Sequence, residues 1–153
     1  MNNTCLIEVA HKPGIKDPLA DEISEGFKHL GVRRHGKVST SKLYRLMGPL
    51  TPEERLRLGA ELLSDPIVEE FYEEEGLPVK TKSVVVDVWY KPGVTDVVGE
   101  SVLKALRDMD LGGVQEVRTG MRYRFWDARD SKTVKRLVQA VLIKPLIHDC
   151  FIH

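Results

Sequence analysis

Three arginines recur at even positions in one segment of the chain, where their side chains could bind a negatively charged group. Arg118, Arg122 and Arg124 lie in a stretch of alternating side chains that ends at Trp126. Side chains two residues apart point to the same face of a β-strand, so these four share a predicted face. Guanidinium groups bind phosphates and carboxylates through paired hydrogen bonds. The sequence therefore predicts either a docking face for a phosphate or acidic partner, or a solvated face balanced by nearby acidic residues.

Residues for catalysis or metal binding do not form a recognisable set. There is no glycine-rich phosphate loop, dinucleotide motif or nucleophile elbow. The five histidines lack metal-ligand spacing with one another or with cysteine. Cys5 and Cys150 stand alone in strand-like segments, which favours structural thiols over nucleophiles. We therefore predict no catalytic residue, no metal site and no cofactor bound by this chain.

Composition is that of a globular protein without a strong overall charge. Of the 153 residues, 42% are hydrophobic and 30% charged, and 23 basic residues balance 23 acidic ones. This balance argues against nucleic acid or an anionic membrane as a partner. The apolar runs are too short to span a bilayer, and the first residues, Met-Asn-Asn-Thr-Cys, do not resemble a signal peptide. We expect a cytoplasmic protein.

The elements that would position these side chains occur twice. His-Lys-Pro-Gly-Ile-Lys-Asp at 11–17 returns as Tyr-Lys-Pro-Gly-Val-Thr-Asp at 90–96, an offset of 79 residues. The same offset aligns Tyr44 with Tyr123 and Leu58 with Leu137 without a gap. A repeat of this length indicates two copies of one structural unit. We predict repeat 1 at 1–74, a linker at 75–82 and repeat 2 at 83–153.

Each repeat has the pattern strand, helix, long strand or hairpin, helix, short strand. First strands at 4–11 and 83–90 run into the turns Lys12-Pro13-Gly14 and Lys91-Pro92-Gly93. Asp17 and Asp96 then occupy N-cap positions. The apolar helix faces predicted from spacing are Leu19, Ile23, Phe27 and Leu30 in repeat 1, and Val98, Val102, Leu106 and Met109 in repeat 2.

The long strands at 38–47 and 117–126 alternate between a core face and the basic face. Tyr44, Tyr123 and Phe125 fall on the core face, which disfavours an RNA-binding module with exposed aromatics. Gly120 belongs to a Val-Arg-x-Gly motif that we assign to a turn. The fold class is α+β, with two tandem units of the same element order. Units this small bury little apolar surface alone, so we expect them to pack as a pseudo-twofold pair.

The motifs of repeat 2 resemble the PurS family. They run from Val88 through Lys91-Pro92-Gly93-Val94-x-Asp96 and an amphipathic helix to Val114-Gln115-Glu116-Val117-Arg118-Thr119-Gly120. In repeat 1 the segment Leu-Leu-Ser-Asp-Pro-Ile-Val-Glu-Glu-Phe-Tyr at 62–72 resembles the end of the family unit. The resemblance covers nearly the whole chain, twice, and it implies two tandem PurS-like units related to the ferredoxin-like fold.

The resemblance implies a non-catalytic component of a ligase, phosphoribosylformylglycinamidine (FGAM) synthase, in purine biosynthesis. This enzyme converts FGAR to FGAM with ATP and glutamine. In the family, a synthetase subunit (PurL-type) holds ATP, Mg²⁺ and FGAR, and a glutaminase subunit (PurQ-type) supplies ammonia. PurS dimers bridge the two. The chain would be a free fused subunit or the N-terminal part of a larger synthetase, and it could form homo-oligomers.

Two other functions stay open at this point. A tandem ACT-like regulatory module would bind an amino acid between the repeats, with the Lys-Pro-Gly turn as ligand loop. A small independent enzyme has only the face of Arg118, Arg122 and Arg124 to support it. If that face docks a partner, alanine at these three positions should weaken partner binding and leave the melting temperature nearly unchanged.

Overall fold

The structure is a computed structural model that describes residues 3–31, 37–73, 83–126, 131–141 and 147–152. The predicted linker at 75–82 lies outside the described residues. Two further residues lie outside them: Asp130, which the sequence predicts at the start of the last helix, and Pro145, which it predicts beyond the end of that helix.

The two repeats contain the same elements in the same order, as predicted. Repeat 1 contains β1 (Thr4–His11), α1 (Pro18–His29), β2 (Lys37–Met47), α2 (Pro52–Leu58) with a π-helical turn (Gly59–Leu63), and β3 (Glu69–Glu73). Repeat 2 contains β4 (Ser83–Tyr90), α3 (Val97–Asp108), β5 (Glu116–Trp126), α4 (Ser131–Val141) and β6 (His148–Ile152). The three strands and the first helix of repeat 2 begin and end 79 residues after their counterparts. The segment at 38–47 belongs to one uninterrupted strand rather than a hairpin.

Local sequence explains where the helices begin. The carboxylate of Asp17 accepts a hydrogen bond from the backbone N–H of Ala20 at 3.0 Å, and Pro18 provides the fixed φ of the first helical position. Thr51 and Pro52 do the same for α2, with the Thr51 hydroxyl accepting from Glu54 N at 3.2 Å. The N-caps predicted from the sequence are confirmed at Asp17, Asp96 and Thr51.

One antiparallel sheet of six strands runs through both repeats in the order β3-β1-β2-β5-β4-β6. Its centre is the pairing of β2 with β5, which extends from Lys37 opposite Trp126 to Met47 opposite Glu116. At the midpoint Lys42 faces Met121, the residue 79 positions later. Each strand therefore has its counterpart at the same distance from this pair on the other side.

Two apolar cores lie on one face of the sheet, and each combines residues from both repeats. In the first, Phe27 of α1 stacks on Phe125 of β5 with ring centroids 5.7 Å apart. This core also contains residues of β4 and α4: Val84, Val86, Val88, Val134, Leu137 and Val138. In the second, Leu106 of α3 packs among residues of β1, β2 and α2: Cys5, Ile7, Val9, Tyr44, Leu46 and Leu58. The first helix of each repeat thus contributes to a core whose other members come largely from the other repeat.

Two predicted helix contacts are wrong. Leu30, expected on the apolar face of α1, is 54% exposed because it is the C-cap residue, one position beyond the helix. Val98 lies in the first turn of α3 and is equally exposed. Buried Gly99 instead faces the sheet there, where an added Cβ would lie 2.4 Å from the carbonyl oxygen of Val117.

Within the described part of the chain, no helix is long and apolar enough to cross a membrane.

The shared cores predict that the two repeats unfold together. Replacing Phe27 in repeat 1 with Ala should destabilise the protein by about 3–5 kcal/mol, because it leaves a cavity against Phe125. Both tryptophans, Trp89 and Trp126, lie in repeat 2. In Phe27→Ala, the urea midpoint measured by tryptophan fluorescence should therefore fall by the same amount as the midpoint measured by circular dichroism.

The control for this experiment is Leu30→Ala, at an exposed position of the same segment, which should change stability by less than about 0.5 kcal/mol. An unchanged fluorescence midpoint in Phe27→Ala would show that repeat 2 folds without repeat 1.

Candidate functional site

Each Lys-Pro-Gly turn makes a backbone hydrogen bond to the residue just before the last strand of its own repeat. Lys12 N donates to Val68 O at 2.9 Å, and Lys91 N donates to Ile147 O at 2.7 Å. The turn glycines, Gly14 and Gly93, have φ values of 85° and 87°, which residues with a Cβ rarely adopt. The predicted turns, Pro13 and Pro92 included, are thus confirmed, and their hydrogen bonds are structural.

The capping aspartates also attach each helix to a central strand. Beyond its helix, the Asp17 carboxylate accepts from the backbone N–H of Thr40 at 2.8 Å and from the Thr40 hydroxyl. Asp96 makes the same contacts with Thr119, at 2.6 Å to the backbone nitrogen. The sequence showed the repeated Asp and Thr but not that they meet.

Four charged side chains form the central charge cluster, defined as Glu8, Asp87, Arg122 and Arg124. Each stands between two core residues on its strand, so the cluster lies on the sheet face turned away from the apolar cores. Arg122 donates from Nε to Asp87 Oδ1 at 2.6 Å and from Nη2 to Oδ2 at 2.8 Å. Its Nη1 donates to Glu8 Oε1 at 2.9 Å. Arg122 therefore joins carboxylates of the two repeats.

Arg124 completes the cluster from the same strand. Its two terminal nitrogens donate to the two carboxylate oxygens of Glu8, and the Ser41 hydroxyl donates to Glu8 Oε2 at 2.5 Å. Glu8, Asp87 and Arg124 are only 1%, 5% and 4% exposed. Two guanidinium groups balance two carboxylates in a site that is largely shielded from water.

The electrostatics of the cluster keep Glu8 ionised. Burial by itself raises the pKa of a carboxyl group, but hydrogen bonds from Arg124 and Ser41 and the charges of both arginines outweigh it. Together they lower the pKa of Glu8 from 4.5 to about 2. The hydrogen bonds with Asp87 raise the pKa of Arg122 in spite of its burial. At neutral pH Glu8 is therefore a fixed negative charge rather than an acid or a base.

The predicted basic face is confirmed as a shared face, but its arginines have partners within the chain. Arg118 donates from Nη2 to the carbonyl oxygens of Tyr90 at 3.2 Å and Lys91 at 3.0 Å. Trp126 donates from Nε1 to the Ser39 hydroxyl at 2.8 Å. The sequence analysis did not identify Glu8 and Asp87 as the acceptors. A signal was present, because they are acidic residues 79 positions apart in the first strands of the two repeats. The structure shows that both are buried.

Gly120 does not lie in a turn, which corrects the prediction. It pairs with Leu43 near the middle of β5. An added Cβ would lie 2.7 Å from Val88 O and 2.8 Å from the ring of Trp89. The glycine therefore makes room for Trp89, over which the Arg45 guanidinium lies at 4.3 Å from the ring centroid.

The described residues contain no group of three or more His, Cys, Asp or Glu side chains that could hold a metal ion. Cys5 is buried in β1, and Cys150 is half-buried in β6, where burial raises the pKa of its thiol. These environments suit structural thiols, as the sequence predicted.

The cluster predicts a strong and pH-dependent effect of Glu8. Glu8→Gln should destabilise the protein by about 3 kcal/mol or more at pH 7, because it leaves buried arginines without their counter-charge. The Glu8 carboxylate has a lowered pKa in the folded state, so its stabilising effect is complete above pH 4.5 and is lost as the pH falls towards 2. Urea titrations of both proteins at several pH values should show their difference shrinking over this interval.

Glu22→Gln is the matched control, because Glu22 is an exposed residue of α1. It should change stability by less than about 0.5 kcal/mol. A difference between wild type and Glu8→Gln that stays constant from pH 7 to 2 would contradict the role of the Glu8 charge.

The contacts of Arg122 and Arg124 with buried carboxylates change what we expect of these two arginines. Alanine at either position should lower the melting temperature markedly, whereas the sequence alone predicted almost no change.

Comparison with known protein families identifies the second repeat. Residues 83–153 match the family model PurS, described as phosphoribosylformylglycinamidine (FGAM) synthase. No curated protein matches the chain. The matched range begins at the first residue of β4 and includes the Lys91-Pro92-Gly93 turn, the basic residues of β5 and the last strand. The family is described as a component of FGAM synthase, an enzyme of purine biosynthesis. Residues 83–153, just under half of the chain, are similar to the PurS family.

Proposed function

We propose that this chain is a non-catalytic assembly component of FGAM synthase and contains two PurS-like units. The observation that carries the proposal is the PurS match over residues 83–153, together with the same strands and first helix at an offset of 79 residues. Repeat 1, residues 1–74, would then be a second unit of the same family, joined to repeat 2 by residues 75–82.

The two units would form a covalently linked counterpart of a PurS dimer. The central pairing of β2 with β5 places Lys42 opposite its equivalent Met121. A pseudo-twofold axis through this pair would relate β1 to β4 and β3 to β6, and the strand order is consistent with it. The shared cores support this arrangement, because each first helix reaches the other unit.

The role we assign to this pair is to bridge a synthetase (PurL-type) part and a glutaminase (PurQ-type) part and to support ammonia transfer between them. ATP, Mg²⁺ and FGAR would bind the synthetase. A bridge between two different partners needs two different surfaces, and the units differ at equivalent positions. Ser39 corresponds to Arg118, and Lys37 corresponds to Glu116. The proposal holds for a free subunit and for a region of a longer synthetase.

Arg118 is the arginine best placed to contact a partner. Its side chain is 20% exposed, whereas that of Arg124 is 5% exposed and is committed to Glu8. Two of its contacts inside the chain are backbone carbonyls, which would leave part of the guanidinium for an acidic group. The family match gives no support to the ACT-like alternative.

Reconstitution tests the assembly role directly. We expect the chain to co-purify with a synthetase and a glutaminase subunit in the presence of ATP and FGAR, and to raise glutamine-dependent FGAM formation. Ammonia-dependent FGAM formation should change much less, because free ammonia needs no bridge. If neither complex formation nor glutamine-dependent turnover responds to the chain, the proposal is wrong.

A variant pair tests the contact surface. Arg118→Ala should weaken assembly about tenfold or less, in keeping with one exposed charged contact, and should reduce stability by only about 1 kcal/mol. Lys104→Ala, an exposed basic residue in the middle of α3, is the matched control and should leave assembly unchanged. Equal weakening in both variants would indicate a general charge effect instead of a contact at Arg118.

A further inference from the structure

A pocket of about 480 Å³ lies beside the first Lys-Pro-Gly turn, where the chain leaves β1 and enters α1. We call it the first-turn pocket and define it by six of its lining residues: His11, Lys12, Lys37, Ser39, Arg124 and Trp126. Its wall includes residues from both faces of the sheet. The pocket is therefore part of neither the apolar cores nor the predicted docking face alone.

Two buried nitrogens at this wall have no hydrogen-bond partner. Arg124 is 96% buried and uses its terminal nitrogens to bind Glu8, but its Nε–H is unpartnered. The Nδ1 atom of His11 is buried and unpartnered as well. Buried polar groups are nearly always satisfied in folded proteins. The unpartnered guanidinium N–H of Arg124 is therefore available to an acceptor in the cavity that Arg124 lines.

A third donor is available at the same wall. The Ser39 hydroxyl oxygen accepts the indole N–H of Trp126 at 2.8 Å, which leaves its own proton free to donate into the pocket. Lys37 adds an exposed ammonium at the rim. Donors of this kind bind oxygen atoms of an anionic group.

The equivalent pocket of repeat 2 has a different chemistry. It measures about 360 Å³, and Arg118 stands where repeat 1 has Ser39. The Arg118 side chain donates to backbone carbonyls of its own turn. At the rim, Glu116 replaces Lys37. The pocket of repeat 1 is thus larger and has a basic residue at its rim, whereas the pocket of repeat 2 is smaller and has an acidic residue there.

Acidic groups at the first-turn pocket limit the charge that a ligand can carry. Asp17 lines the pocket, but its carboxylate is engaged by Ala20 and Thr40. Asp21 lies exposed on the first turn of α1. Lys12 donates from Nζ to Pro66 O at 2.6 Å and stays near the opening. This balance suits a ligand with one compact anionic group better than a polyanion.

We propose that the first-turn pocket binds the oxyanion group of a small molecule, either a carboxylate or a phosphate, through Arg124 Nε–H and the Ser39 hydroxyl, with Lys37 at the rim. The site is independent of the proposed assembly role, because it uses no partner protein. The apolar part of the wall, which includes Trp126, accommodates the rest of the molecule.

The indole N–H of Trp126 provides a direct test by two-dimensional NMR on the full chain. Its signal is assigned by its loss in Trp126→Phe. We titrate sodium phosphate and, separately, sodium acetate, with sodium chloride keeping the ionic strength constant. We expect a saturable shift of the Trp126 signal, with a dissociation constant of about 1–10 mM for a bare oxyanion, and a much smaller shift of Trp89. Tighter binding of phosphate would assign a phosphate group to the ligand, and equal or tighter binding of acetate would assign a carboxylate.

Matched variants separate a built site from general charge effects. Ser39→Ala and Lys37→Gln should each weaken binding about fivefold, the effect of one lost hydrogen bond or charge. Glu116→Gln, at the position equivalent to Lys37, should leave the Trp126 titration unchanged. The absence of a saturable shift with either anion up to about 50 mM, or equal effects of Lys37→Gln and Glu116→Gln, would overturn the proposal.

Discussion

The antiparallel pairing of β2 with β5 is the constraint on which the rest of the structure depends. It turns two three-stranded halves into one sheet of six strands. Neither half has a complete core without it, because Phe27 of the first repeat needs Phe125 of the second, and Leu106 of the second needs strands of the first. A unit of about 70 residues buries too little apolar surface to be strongly stable alone. The pairing solves this problem for both units at once.

The central charge cluster makes the same junction specific. Moving four charged groups out of water is costly, and the hydrogen bonds and opposite charges within the cluster offset that cost. Here Arg122 and Arg124 come from the second repeat, and Glu8 comes from the first. Any shift of the β2–β5 register would separate these charges or expose them. The cluster therefore adds a geometric condition to a pairing that apolar contacts alone would define less sharply.

The repeats share a backbone plan but present different surfaces. Positions that hold the fold are the same in both, such as the aspartates that cap α1 and α3 and reach Thr40 and Thr119. Positions at the sheet ends differ: Ser39 and Lys37 in one repeat correspond to Arg118 and Glu116 in the other. A homodimer would present identical ends, whereas a fused pair is free to vary them separately. That freedom fits a component that meets two kinds of neighbour.

Much of the architecture was predictable because the information for it is local and occurs twice. The Lys-Pro-Gly turns, the capping aspartates and the alternation of β4 and β5 predicted strand and helix bounds to within one or two residues. Periodicity alone was less reliable at element ends. It placed Leu30 on a buried face, although the helix stops one residue earlier, and a short motif placed Gly120 in a turn.

By itself the sequence determined the strands, the helices and which side chains share a face, since these depend on neighbours within a few residues. Only the tertiary structure decided what the basic face contacts. Glu8, the partner that Arg122 and Arg124 share, lies 114 and 116 residues away from them in the chain. Their meeting depends on the β2–β5 register, which no local pattern encodes. The same is true of the first-turn pocket, because its wall brings Arg124 of the second repeat to the turn of the first.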